Sequence, residues 1–553
     1  MAQQITITTA QLNPVMGDVD GNAAAIRAAR ARAAKDGADL LVATELGVLG
    51  YPPEDLVLKP AAVAACEQAV RDLARDTADG GPAVIVGAPW VDAGKLYNAA
   101  LLLDGGAIAA WRAKHELPNY AVFDEKRVFS PGPVPQPVTF RGLQLGLPIC
   151  EDIWLPTVPR ALAAAGAGML ICINGSPYRR GIADERDQAF FAWHRELRLP
   201  LIFTNQVGGQ DELVFDGGGF CWDHQGRTVQ RAPAFAPAIS TCRWRHDGEN
   251  WHCAGAALAP QVDGLEADWR ALCLGLGDYV DKNGFPGVVL GLSGGIDSAL
   301  SAAIAVDALG PKRVWCVMLP SRYTSQASLN DARACAHVLG VRYDTIPIET
   351  AVEAFNRELA GVFAGQAADT TEENLQSRTR AVILMALSNK FGHMLLTTGN
   401  KSEMAVGYAT LYGDMSGGFN ALKDIYKTQV FELARWRNSH CPDGLLGLPG
   451  VVVPQSVIDK PPSAELKADQ TDQDSLPPYA DLDAILHGFI EEEATAAAII
   501  AKGYDAAVVR RIENLLYAAE YKRRQAPPGV KISRRNFGRD RRYPITNHFR
   551  DKI

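Results

Sequence analysis

The stretch Leu290–Leu300, LGLSGGIDSAL, ends an apolar run, GVVLGL (287–292), and leads into an alanine-rich segment of helical character. Strand, glycine turn and helix in that order read as a phosphate-binding loop. Gly294 and Gly295 let the backbone turn tightly and approach an anion. A helix starting near Ile296 aims its free N–H groups and the positive end of its dipole at that anion. Ser293 and Ser298 add hydroxyl donors. The lysine of the common G-x-x-x-x-G-K-[ST] loop is missing, and Asp297 stands where phosphate would come. A carboxylate cannot hold phosphate directly, but it can bind a Mg²⁺ ion that bridges phosphate oxygens. The expected cargo is a diphosphate with magnesium, held by Gly291, Leu292, Ser293, Gly294, Gly295, Ile296, Asp297 and Ser298.

Around this loop the second half of the chain alternates apolar strands with longer helical stretches. RVWCVM (313–318), RYDTIPI (from Arg342) and MLLTT (394–398) are strand candidates, with helices over 327–339 and 375–390. Short strands joined by helical crossovers predict a doubly wound parallel α/β sheet that binds ligands at the carboxyl ends of its strands. The proline-rich, polar stretch 460–478 is expected to be a mobile loop or lid. The first half alternates as well: ITITT (5–9), DLLVA (39–43), AVIVG (83–87), LQLGLPI (143–149), MLICI (169–173) and PLIFT (200–204) are strands with amphipathic helices between them. That predicts a second, layered α/β domain. The pattern lapses near 245–262, HDGENWHCAGAALAPQVDG, which reads as a linker. The expected domains are 1–262 and 263–553.

A chain of 553 residues with 47% hydrophobic and 21% charged residues is ordinary for a globular protein with two cores. No apolar run approaches the ~18 residues of a membrane span, and no signal peptide is read at the start. The ten cysteines form no C-x-x-C pair, which favours reduced thiols and a cytoplasmic home. The net charge of −8 argues against general nucleic-acid affinity. From Lys522 onward, however, eleven Lys/Arg face two acids, leaving −17 for the rest. That basic end is read three ways: a contact for a polyanionic small substrate, a structural face, or a nucleic-acid grip.

The first half poses its own question in LGLPICEDIW (145–154), where a strand ends in Cys150. Buried cysteines are usually inert. Two other segments change the reading: ATELGVLGYPPEDL (43–56) sets Glu45 directly after a strand, and AKHELPNYAVFDEKRVFSPG (113–132) sets Lys114 before a turn. A thiol needs a base to attack a carbonyl and a positive group to hold the resulting oxyanion. Glu45 can take the proton and pass it to leaving ammonia, and Lys114 can stabilise the tetrahedral intermediate.

These residues carry resemblances. SGGIDS between strand and helix resembles the loop of the ATP pyrophosphatases, which cleave ATP between the α and β phosphates. ENLQSRTRAVILMALSN (373–389), TTGNKSEMAVGYATLYGDMSGG (397–418) and KPPSAEL (460–466) resemble the NAD synthetases within that group. The resemblance implies Asp297 and Glu403 as magnesium ligands, and Thr398 and Lys427 as ATP contacts. It implies Asn374, Glu403, Asp414 and Lys522 as contacts of the dinucleotide substrate. The Glu45, Lys114, Cys150 set resembles the nitrilase-type amidases, implying an α-β-β-α sandwich, with Glu125 as the additional glutamate that orients the lysine. The stretches GYPPEDL, LPNY and NQVGGQDELVFDGGGF (205–220) narrow this to the glutaminase domain of the glutamine-dependent NAD synthetases, with Tyr120 and Ser176 at glutamine contacts. Two departures stand out. Thr44 replaces an expected proline, and Ile182 replaces an expected lysine near the glutamine site, where Arg179, Arg180 or Arg186 could compensate.

The implied reaction is amidation of deamido-NAD to NAD⁺. ATP is cleaved to AMP and pyrophosphate, and the ammonia comes from glutamine. The resemblance also implies a homo-oligomer and a buried ammonia tunnel; the charge balance and the short apolar runs predict no nucleic-acid or membrane partner. Two rival readings remain open on the residues: an amidotransferase of the same type acting on another carboxylate, and a sensor that binds ATP and dinucleotide without turnover.

Overall fold

The computed structural model describes residues 3–468 and 470–551. The chain divides into two compact units, Met1–Asp263 and Gly264–Ile553.

The first unit is a four-layer α-β-β-α sandwich. One sheet has seven strands in the order Trp251–Ala254, Ala238–His246, Gln4–Gln11, Leu40–Val42, Ala83–Asp92, Lys95–Asp104, Ala107–Ala113. The other has six, in the order Thr228–Arg231, Phe220–Trp222, Leu201–Asn205, Met169–Asn174, Leu143–Gly146, Val138–Phe140. The period of two along each strand sorts the side chains between layers. Ile5, Ile7, Leu40, Val42 and Ile85 meet Leu145, Met169, Ile171 and Ile202 between the sheets. On the outer face, Leu41, Val84 and Val86 pack against Ile26 and Ala29 of the helix Val19–Lys35 and Val70 and Leu73 of the helix Pro60–Asp76. The second sheet is covered by Leu162 of the helix Thr157–Ala164 and Phe190 and Trp193 of the helix Ile182–Leu197.

The expected linker at 245–262 is partly strand. Trp251–Ala254 pairs antiparallel with Ala238–His246. Asp247 closes the turn by accepting the N–H groups of Glu249 and Asn250, both at 2.9 Å, and Trp251 is buried. Polar turn residues hid this hairpin from a reading based on apolar alternation.

The second unit contains a five-stranded parallel sheet in the order Arg342–Thr345, Val314–Met318, Val288–Gly291, Met394–Thr397, Phe419–Asn420. From the central strand Val288–Gly291 the chain first builds outward on one side and then crosses to the other. That strand therefore lies at the switch point where open α/β sheets bind ligands. The helix that follows it, Ile296–Leu309, buries twelve of its fourteen residues, so it runs through the core rather than along the surface. A helical layer of Tyr479–Ile490, Ala496–Ala501 and Ala506–Ala518 closes a further core around Leu482, Ile485, Ile499, Val509 and Ile512.

The basic C-terminal stretch is largely structural. Arg523 is buried on the carbonyls of Met404, Ala405 and Leu516 and on Glu520. Lys531 pairs with Asp540, Arg541 with Glu520, and Arg535 with Glu493. The stretch 460–478 is folded against the sheet's ligand end rather than standing apart. Glu465 accepts from the hydroxyls of Ser325 and Ser328, at 2.8 and 2.7 Å, and Gln376 donates to the Leu466 carbonyl at 2.9 Å. Among the described residues no helix is long and apolar enough to cross a membrane. All ten cysteines are free, eight of them buried.

Candidate active sites

In the first unit the key side chains stand at strand ends. Glu45 follows Leu40–Val42, Lys114 follows Ala107–Ala113, and Glu125 opens the short helix Glu125–Val128. Cys150 opens a single 3₁₀ turn, Cys150–Ile153, at φ 45°. A non-glycine residue in that left-handed region is strained by about 1–3 kcal/mol, a cost tolerated where surrounding contacts fix the turn. Here Asp152 fixes it. Its carboxylate accepts from the N–H groups of Ile149 (3.0 Å), His115 (3.0 Å) and Glu116 (2.8 Å), tying the cysteine turn to the segment after Lys114. Gly87 makes room for the base: a Cβ there would lie 2.3 Å from Leu46 N and 2.5 Å from the Thr44 carbonyl oxygen.

The charged groups form one buried network. Lys114 Nζ donates to Glu45 Oε1 at 2.7 Å and to Glu125 Oε1 at 2.6 Å. The Tyr51 hydroxyl donates to Glu125 Oε1 at 2.7 Å, and Gly175 N donates to Glu45 Oε2 at 2.8 Å. Burial works against the charge of Lys114, but Glu125 and Glu45 outweigh it and hold the ammonium well above its ordinary pKa. Burial pushes Glu125 up to about 7, against the pull of Lys114. The Cys150 thiol, 4% exposed, is pushed well above its ordinary range by burial and then by Glu45, with Lys114 only partly offsetting this. The Cys150 thiol therefore rests neutral, and a base would have to take its proton for it to act as a nucleophile.

Tyr120 is exposed, and its hydroxyl donates to the carboxylate of Glu151, the residue after Cys150, at 3.0 Å. Ser176 follows Gly175. Its N–H donates to Asn205 Oδ1 at 2.9 Å, and its hydroxyl accepts from Arg186 at 3.3 Å. Ile182 is buried at the start of its helix. Of the three arginines that could compensate for it, Arg186 is buried between Ser176 and Asp216, whereas Arg179 pairs with Glu185 at the surface.

In the second unit the loop Ser293–Ser298 opens onto a cavity of ≈ 570 Å³. Ser298 Oγ lies 3.1 Å from Ser293 Oγ and donates to the Gly295 carbonyl at 3.0 Å, which fixes the turn. Gly294 has φ 78°, and a Cβ there would lie 2.3 Å from the Ser328 carbonyl oxygen. Asp297 and Glu403 converge on one ammonium: Lys427 Nζ donates to Asp297 Oδ2 and, at 3.3 Å, to Glu403 Oε1. Asn400 caps the helix Lys401–Val406 and donates to Asp297 Oδ1 at 2.9 Å. Burial pushes Glu403 up to about 8, with Lys427 opposing. Burial works against Lys427 too, but Asp297 and Glu403 raise its pKa above the ordinary value. The cavity wall includes Thr398, Asp414, Arg380 and the 460–467 segment. Asn374 and Asp414 meet at Thr410, whose hydroxyl donates to Asn374 Oδ1 and whose N–H donates to Asp414 Oδ1, both at 2.9 Å. Lys522 Nζ reaches the carbonyls of Gly407 (2.8 Å) and Ala409 (2.7 Å) at the edge of the same segment.

The Carbon-nitrogen hydrolase family matches residues 6–244, and the NAD synthase family matches residues 268–526. The chain is 51% identical to a glutamine-dependent NAD(+) synthetase of Rhodobacter capsulatus over the full length of both, and 42% identical to that of Thermotoga maritima, again over both whole chains. The chain belongs to the glutamine-dependent NAD(+) synthetases. The solved structure of the Acinetobacter baumannii synthetase, in complex with adenosine diphosphate, matches it over all of both chains at 40% identity and a TM-score of 0.78.

Within this synthetase the sequence reading missed several residues that complete the two centres. Tyr51 lies in the quoted GYPPEDL stretch, yet nothing local marks its hydroxyl as a partner of Glu125. Asp152 follows Cys150 by two residues, and nothing local marks its carboxylate as the acceptor that fixes the turn. Gly175 stands 130 residues from the Glu45 carboxylate it donates to. Arg380 lies in the cavity wall, and burial lowers its pKa to about 10. Asp472, also in that wall, accepts from the Tyr479 hydroxyl at 2.8 Å, while its Oδ1 is buried without a hydrogen-bond partner.

Proposed function

We propose that this chain makes NAD⁺ by amidating deamido-NAD with ammonia taken from glutamine. In the first unit Cys150 Sγ attacks the amide carbon of glutamine while Glu45 takes the thiol proton. Lys114, held by both glutamates, stabilises the oxyanion, and Glu45 returns the proton to leaving ammonia. Water then releases glutamate from the thioester. Glu125, through its contact with Lys114, orients that ammonium; Tyr120 and Ser176 hold the glutamine.

In the second unit the nicotinate carboxylate of deamido-NAD attacks the α-phosphorus of ATP. The glycine turn and serine hydroxyls of Gly291–Ser298 hold the departing pyrophosphate, and Thr398 and Lys427 hold the nucleotide. Asn374, Glu403, Asp414 and Lys522 hold the dinucleotide. Ammonia displaces AMP and completes NAD⁺. Asp297 and Glu403 fit a Mg²⁺ ion, because they already converge on a cation of the protein's own, Lys427 Nζ. No group of three His, Cys, Asp or Glu side chains suited to a metal occurs among the described residues, so phosphate oxygens and water would complete its shell. Mg²⁺ held there would offset negative charge building on the pyrophosphate. We place the enzyme in the cytoplasm as a homo-oligomer.

One observation carries this reading. The base, lysine and second glutamate beside Cys150 are already bonded at 2.6–2.7 Å, in the same chain as a phosphate loop that faces a large cavity. Deamido-NAD labelled with ¹⁸O in its carboxylate tests it. The label should appear in AMP. Unlabelled AMP, or release of ADP and phosphate, would contradict the assignment.

A further inference from the structure

Glu45 is held by three donors, and only two of them, Lys114 and Gly175, lie in segments that carry the site. The third is Asn98, in the middle of the strand Lys95–Asp104. Its Nδ2 donates to Glu45 Oε1 at 2.8 Å, the same oxygen that accepts from Lys114 at 2.7 Å. The Asn98 backbone carbonyl accepts the Lys114 N–H at 2.8 Å. One residue therefore sets both the base and the backbone of the lysine. Nδ2 also stands 3.5 Å from Glu125 Oε2, between the two acids.

The other end of the amide explains why this contact is more than packing. Asn98 is fully buried, and its Oδ1 has no hydrogen-bond partner. A buried carbonyl without a donor is costly, and a leucine of similar shape would avoid that cost. The polar side chain makes sense here through its NH₂ end. Carboxylate oxygens accept, so the amide must turn that end toward Glu45. With Oε1 occupied by two donors, Oε2 carries the Gly175 N–H alone and keeps a lone pair free. Without Asn98, Glu45 could swing both oxygens onto the Lys114 ammonium and lose that free lone pair.

We infer that Asn98 is a positioning residue for amide hydrolysis: it fixes Glu45 so that Oε2 is the oxygen that takes the thiol proton and passes it to ammonia. The inference rests on the function proposed for Cys150. The groups that interact electrostatically with Glu45 are Lys114, Glu125, Tyr51, Cys150, Glu151 and Cys172. None of them is itself replaced when position 98 alone is changed.

The test uses the full chain with Asn98→Leu, which keeps the shape and removes the donor, and Asn98→Asp, which sets an acid beside the base. Glutamine kcat and KM are measured across pH 5.5–9, and ammonia-supported NAD⁺ formation reports folding. Losing a donor to an ionised carboxylate favours its protonated form. The acid limb of kcat should therefore move to higher pH, further for Asn98→Asp than for Asn98→Leu. At neutral pH kcat should fall by about 10²-fold, within the range of general-base effects, with KM nearly unchanged. Should Asn98→Asp not fold, Asn98→Leu carries the test alone. An unmoved acid limb, or a loss confined to KM, overturns the inference. Cys150→Ala run alongside separates the two failures. If it keeps glutamine hydrolysis, the underlying reading falls. If it loses hydrolysis while the Asn98 variants behave like the parent, only the role of Asn98 falls.

Discussion

At Cys150 the neighbouring Glu45, Lys114 and Glu125 are buried and bonded within the protein, and the thiol itself is 4% exposed. At Asp297 two carboxylates face a cavity of ≈ 570 Å³ and share one lysine ammonium. The difference follows from where each chemistry gets its charges. Amide hydrolysis uses a base, an oxyanion partner and a thiol that the chain supplies itself, so the site can be assembled dry and held rigid. On the function proposed, adenylation would draw its charges from ATP and from the metal proposed to accompany it. That site keeps open space, and Lys427 neutralises its acids. One centre is preorganised, and the other holds its two acids on a cation of the protein's own.

The sharpest way to break this contrast is to remove one chemistry from each side. Cys150→Ala should abolish glutamine-supported synthesis, by about 10⁴-fold or more, and leave ammonia-supported synthesis intact. Asp297→Ala should abolish both modes of synthesis while glutamine hydrolysis persists. If Cys150→Ala also removed ammonia-supported synthesis, the two centres would not divide the work as described.

A smaller effect tests the stand-in cation. In Lys427→Met the Asp297 and Glu403 carboxylates lose their shared ammonium. Thermal unfolding should begin a few degrees lower, since removing one partner of a part-buried ion pair leaves the other uncompensated. Mg²⁺ without nucleotide should raise the melting temperature of this variant more than that of the parent. AMP formation should fall about 10–100-fold through the lost ATP contact. Equal responses to Mg²⁺ in both proteins would show that the ammonium does not occupy the cation's place.

The smallest effect concerns pH and the closed site. Glu125 keeps its proton to about pH 7 in the folded chain, against an ordinary value of 4.5. The folded state thus gains stability from this proton below about pH 4.5. That gain is lost as pH rises, because the unfolded chain releases the proton first. Glu125→Gln cannot titrate, so the parent should lose stability relative to the variant between about pH 4.5 and 7. The change is of order 1–3 kcal/mol, read as melting temperatures at several pH values. A constant difference across that range would show that Glu125 is ionised throughout and that the network is less closed than its geometry indicates.

Much of both centres was legible in the chain. Glu45, Lys114 and Cys150 each follow an apolar strand, where side chains emerge at the rim of a sheet, and each sits in a distinctive segment. The phosphate loop was readable because glycine turn, acid and helix are contiguous. Asn98, Gly175 and Tyr51 were not, because each acts on a carboxylate that a distant segment of the chain delivers. The hairpin of Lys95–Asp104 and Ala107–Ala113, which places Asn98 beside Lys114, was absent from the sequence reading. The basic C-terminal end was legible only as a surplus of charge. Its charge left a polyanionic ligand, a structural face and a nucleic-acid grip open; Glu520, Asp540, Glu493 and backbone carbonyls take up much of it, as a structural face requires, while Lys522 is left to the dinucleotide proposal.

The sequence by itself determined the class of fold, and it supplied the loop proposed to meet pyrophosphate and the residues proposed as nucleophile, base and oxyanion partner. These depend on local rules: the period of two in strands, the freedom of glycine, and the dipole of a helix start. Only the tertiary structure decided which oxygen of Glu45 takes a single donor, that Asp152 fixes the cysteine turn, and that Lys427 bridges the two acids facing the cavity. Those are matters of register and burial. Residues up to 130 positions apart must meet within 3 Å, and no local pattern encodes that meeting.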